Sequence, residues 1–70
     1  MINTMTEQEI RDFMIILKSL NLGDATIVGI AAMMDRDMGK TQEMVEFIKK
    51  NPNATETELL KKAVEIGDIL

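Results

Sequence analysis

Two short signatures, Thr6-Glu7-Gln8-Glu9 and Thr55-Glu56-Thr57-Glu58, govern what this chain can fold into. Each is a capping box. The threonine hydroxyl accepts from the backbone N–H three residues on, and the glutamate there accepts from the threonine's own N–H. That reciprocal pair belongs at a helix start, and apolar residues at helical spacing follow both. After Thr6, one stripe carries Ile10, Phe13, Met14, Leu17 and Leu20, with Ile16 on its edge. After Thr55, the inner face carries Leu59, Leu60, Ala63, Val64 and Ile66. Met5 and Ile10 stand where a hydrophobic staple would close over the first cap.

Two more helices fit between these. Asn21-Leu22-Gly23 ends the first, because Asn and Gly both accept the left-handed conformation of a C-terminal cap. Asp24 then caps a second helix over 25–34, where Thr26 alone is polar. A helix apolar all the way round is a central one. Gly29 within it costs about 1 kcal/mol of helix propensity against Ala, so the close approach of a neighbour is its expected reason. Asp35-Arg36-Asp37-Met38-Gly39 is the polar break, with Gly39 expected to relieve backbone strain. A third helix follows over 40–50, with Thr41, Met44, Val45, Phe47 and Ile48 on one side, until Asn51-Pro52 stops it. Gly67 closes the fourth. Glu7 with Arg11, Glu46 with Lys50 and Glu58 with Lys62 are spaced i, i+4 in the favourable orientation. No segment has the two-residue period of a strand. The pattern predicts one all-α domain over 1–70, a compact array of four short helices at approximately 6–20, 25–34, 40–50 and 56–66. Short connections pair them as two αα-hairpins, first with second and third with fourth.

Composition removes most chemistries. The 70 residues include no cysteine and no histidine, so the usual zinc sites, thiol chemistry and Ser–His or Cys–His pairs cannot be built. A core this small has difficulty enclosing a substrate pocket of about 300 Å³, and nothing marks a carboxylate pair such as Asp35 with Asp37 as catalytic. The expectation is a protein that is not an enzyme and carries no cofactor. Twelve acidic against eight basic side chains give a net charge of −4, which argues against bulk attraction to nucleic acid or anionic membrane. The longest charge-free run, 25–34, has about half the length that spans a bilayer. The opening residues show neither a basic flank nor a signal-peptide core, so a soluble, cytoplasmic protein is expected.

Asp35, Asp37, Gly39, Thr41, Glu43 and Glu46 occupy the first, third, fifth, seventh, ninth and twelfth places of an EF-hand-like frame. Lys40 stands where that loop needs its glycine, and the third helix already consumes half the frame. The competing reading is a solvated connection. Gly39-Lys40-Thr41 has the tail of a phosphate-binding loop, but Met34 stands where the first glycine is needed and no strand precedes it. No metal site is assigned.

The stretch 44–60, a helix ending at Asn51-Pro52 followed by a Thr55-capped second helix, resembles the opening of many winged-helix domains. The resemblance covers 44–70 at most. It implies a turn and a recognition helix next, where Gly67-Asp68-Ile69-Leu70 stands instead. In another register the second and third helices form a helix-turn-helix, offering Lys40, Gln42, Glu43, Glu46, Lys49 and Lys50 to a groove. Its glutamates repel phosphate. A DNA-binding regulator of this type is the alternative function.

The favoured function is protein–protein association, with itself or another chain. Seven methionines support it, since flexible thioethers suit varied apolar partners, although core filling is their commoner use. Met33, Met34, Met38 and Met44 cluster around the second connection. Ile15 falls among Arg11, Asp12, Lys18 and Ser19 on the polar face, and Ile69-Leu70 extend past the Gly67 stop. The expected partner-binding residues are Ile15, Met33, Met34, Met38, Ile69 and Leu70, with a homodimer formed through the first helix and the C-terminal end.

Overall fold

The computed structural model describes residues 4–67. Its four helices are α1 (Glu7–Ser19), α2 (Asp24–Met34), α3 (Met38–Lys50) and α4 (Glu56–Gly67). The fold is the expected all-α array. Its radius of gyration is 11.1 Å, against about 11 Å for a compact chain of this length.

Both capping boxes form. Glu9 N–H donates to Thr6 Oγ1 at 3.2 Å, and Thr6 N–H donates to Glu9 Oε1 at 2.8 Å. At α4, Glu58 N–H donates to Thr55 Oγ1 at 3.2 Å and Thr55 N–H to Glu58 Oε1 at 2.9 Å. Each box satisfies two amides that the first turn of a helix leaves without partners.

The other ends differ from expectation in instructive ways. Asn21 alone takes the left-handed conformation after α1, with φ 60. Gly23 has φ −68 and is the N-cap of α2, so Asp24 is the first helical residue and not the cap. Gly23 N–H donates instead across the fold to Glu56 Oε2, at 3.4 Å. α3 begins two residues early because Asp37 caps it, its carboxylate accepting from Lys40 N–H at 2.9 Å. Gly39 therefore lies in the first turn of a helix, with no positive φ to relieve. The strain sits on two residues that are not glycine. Asp35 (φ 50) and Arg36 (φ 56) are both left-handed, and Asp37 N–H closes back to Met34 O at 2.9 Å. That geometry is a type I′ turn, which glycine and asparagine adopt at least cost.

α2 is central, as expected, packing on all three other helices and most extensively on α4. The two expected hairpins, α1 with α2 and α3 with α4, are present as well. Ile27, Ile30 and Met34 of α2 are buried with Phe13, Leu17, Met44, Ile48, Leu59 and Ala63. The opposite side of α2 is open: Ala25 and Ala32 are exposed and Val28 is 61% exposed. A Cβ on Gly29 would meet nothing within 4 Å, so close packing is not the reason for that glycine.

Candidate functional site

An open groove of about 450 Å³ runs between α1 and α3. Both helices pack on α2 but not closely on each other, which leaves a channel along the seam. Its floor is apolar: Phe13 and Ile16 from α1, Met38 and Val45 from α3, and Met5 from the segment before α1. Phe13 and Met5 are buried, whereas Ile16, Met38 and Val45 are half-buried and stay open to a ligand.

The N-terminal segment fixes one end of this channel. Met5 N–H donates to Arg36 O at 2.9 Å, and Thr4 forms an antiparallel bridge with Asp37. The Met5 side chain then passes under α3, where the buried Thr41 hydroxyl donates to its sulfur at 3.0 Å. The start of α1 is thereby tied to the start of α3. Ile10 packs against the same core, in keeping with a staple over the cap.

The rim carries charge. Glu9 and Asp12 of α1 and Glu46 of α3 are carboxylates, against the single ammonium of Lys49. Glu9 Oε1 holds the α1 cap and Asp12 Oδ1 accepts from Gln8 Nε2 at 2.9 Å, so both are positioned by local bonds. Gln42 completes the α3 wall.

The residues singled out from sequence are scattered by the fold. Met38 lines the groove, Met33 is half-buried, and Met34 is 1% exposed in the core, where no partner can reach it. Met44 is fully buried, so two of the four clustered methionines fill the core and the cluster is not one patch. Ile15 is 63% exposed, on the side of α1 away from Phe13 and Leu17. Ile69 and Leu70 lie outside the described residues.

The EF-hand-like frame is spread along a helix. Asp37 is engaged as the α3 cap, Thr41 is turned to Met5, and Glu46 stands on the groove rim. Asp35 is exposed in the left-handed turn, Gly39 lies in the first turn of α3, and Glu43 is exposed farther along that helix. Among the described residues no group of three or more acidic side chains is placed closely enough to hold a metal ion.

Among the floor residues left half-buried, Ile16 and Val45 are the two that helical spacing places on the core side. Their signal was present: each lies at the margin of its helix's apolar stripe, which is where a stripe wider than its intrachain partner becomes a groove floor. Among the described residues no helix is long and apolar enough to cross a membrane. Compared with protein-family models, with curated proteins and with solved structures, the chain matches none.

Proposed function

We propose that this protein is a non-enzymatic association module that binds another polypeptide, either a partner or a second copy of itself. The observation that carries this reading is the apolar floor of the α1/α3 groove, which the described chain leaves uncovered. Fully burying an Ile or Val from water gains about 1.5–3 kcal/mol; for Ile16, Met38 and Val45, already half-buried, covering gains only the remaining fraction of that each. Concave apolar surface with a few polar groups at its edge is the usual form of a binding site.

A helix-turn-helix regulator built on α2 and α3 has less support. Glu43 and Glu46 share the exposed surface of α3 with Lys49 and Lys50, so that helix presents no sustained basic face to phosphate. Micromolar binding to mixed duplex DNA that weakens steeply with salt would favour it.

A photo-reactive amino acid tests the association reading. Placed at Gln42, on the groove wall, it forms adducts with another polypeptide in cells. Placed at the exposed Glu65 of α4, outside the groove lining, it does not. Adducts from neither position, or equally from both, would contradict the assignment of this groove.

Self-association through a second surface has one observation in its favour, the 63% exposure of Ile15. A symmetric contact would bury that side chain twice.

A further inference from the structure

We infer that the occupant of the α1/α3 groove is a basic amphipathic helix of a partner protein. This rests on the association reading and adds the shape and charge of what is bound. Along α3 the lining extends from Met38 to Lys49, about 16 Å at 1.5 Å per residue. Along α1 it extends from Glu9 to Ile16, about 10 Å on the same rise. Two helical turns of a ligand fit that length, and apolar anchors at i, i+3, i+4 and i+7 would face the floor.

The walls select a helix over a strand. An extended peptide gains affinity by pairing its backbone with an exposed sheet edge. Here both walls are α-helices, whose backbone N–H and C=O groups are paired along their own axes. Only side-chain packing is on offer, and an amphipathic helix presents side chains to a groove most densely.

Charge selects the partner's flanks. Three carboxylates, Glu9, Asp12 and Glu46, stand around the floor against one lysine, Lys49. The chain carries a net −4, so a second copy would bring acid to an acidic rim. Lys or Arg beside a partner's apolar stripe meets the rim with opposite sign. Because Asp12 and Glu46 are exposed, their effect is screened by salt and acts chiefly on partner selection and rate of encounter.

A display library of random peptides about sixteen residues long, selected on the purified chain, tests this. The enriched sequences carry helix-spaced apolar residues with net positive charge, and a synthetic peptide copied from them binds more weakly as salt rises. Asp12→Lys combined with Glu46→Lys, two exposed sites that leave the core untouched, weakens that peptide by about tenfold or more. Val45→Asn weakens it as well, and circular dichroism establishes that both variants remain helical. Enrichment of acidic or uncharged sequences, or affinity unchanged by the charge reversal, overturns the basic-helix assignment while leaving the groove as an association site. Failure to enrich any peptide overturns it too. If the photo-reactive residue at Gln42 also forms no adduct, the association reading falls with it.

Discussion

The Thr41 hydroxyl donates to the Met5 sulfur at 3.0 Å, joining residues 36 positions apart and closing one end of the α1/α3 groove. Among the described residues Thr41 is the one buried polar side chain, and a thioether is a weak acceptor, so the pair is a packing contact that also satisfies a hydroxyl. Met5→Ala removes both roles. It costs about 2–5 kcal/mol in urea denaturation, the usual range for emptying a buried Met site. Thr41→Val removes the hydroxyl together with its need for a partner and shifts stability by only about 1 kcal/mol or less. In the Thr41→Val background Met5→Ala costs less than it does alone. Strict additivity of the two changes would contradict the coupling.

Gly29 is a site where stability can be raised. It lies inside α2 with no positive φ, and a Cβ there meets open space. Gly29→Ala stabilises the fold by about 1 kcal/mol through helix propensity. Arg36 is the converse case, an ordinary residue held at φ 56. Arg36→Gly relieves about 1–2 kcal/mol of left-handed strain, partly offset by the greater freedom of glycine in the unfolded chain. Thermal melts of both variants check these signs.

Acid weakens the start of α4. The backbone N–H of Thr55, and then its side chain, hold the Glu58 carboxyl below its ordinary value of 4.5. A carboxyl with a depressed folded pKa contributes stability in full above its unfolded pKa. That contribution is lost as pH falls through the folded value. Glu58→Gln removes the titrating group, so wild type and variant differ most in melting temperature near neutral pH. The gap narrows below pH 4.5. A gap that stays constant to pH 3 would contradict the capping account.

Ile15 tests self-association apart from the groove. Under the homodimer proposal the wild type sediments with a concentration-dependent mass, and Ile15→Glu shifts it to monomer. The variant also loses the concentration dependence of its melting temperature. A wild type that stays monomeric at several hundred micromolar removes this second surface.

The helices were legible because their signals are local. Thr6 with Glu9 and Thr55 with Glu58 announce their caps within four residues, and the apolar spacing of α1 and α4 needs no knowledge of neighbours. The start of α3 was misplaced because Asp37 resembled a loop carboxylate and Gly39 a strain-relieving glycine. The cap decided the matter: Asp37 accepts from Lys40 N–H and draws Met38 and Gly39 into the helix. Left-handed Asp35 and Arg36 carry no glycine to announce them. The groove was illegible for a deeper reason. Periodicity shows that Ile16 and Val45 lie on apolar sides of their helices, but only tertiary packing shows that no neighbouring helix covers them.

The most direct test of the account is a thiol footprint, since the chain contains no cysteine and any introduced one is the sole reactive thiol. Gln42→Cys places it on the groove wall and Glu65→Cys places it on the exposed side of α4. Maleimide labelling is compared between dilute purified protein and intact cells, with each thiol referenced to its rate in urea. If the groove is occupied in the cell, the thiol at position 42 is protected there relative to the purified chain, whereas the thiol at position 65 labels equally in both. Equal labelling of the two positions in cells would contradict association through this groove.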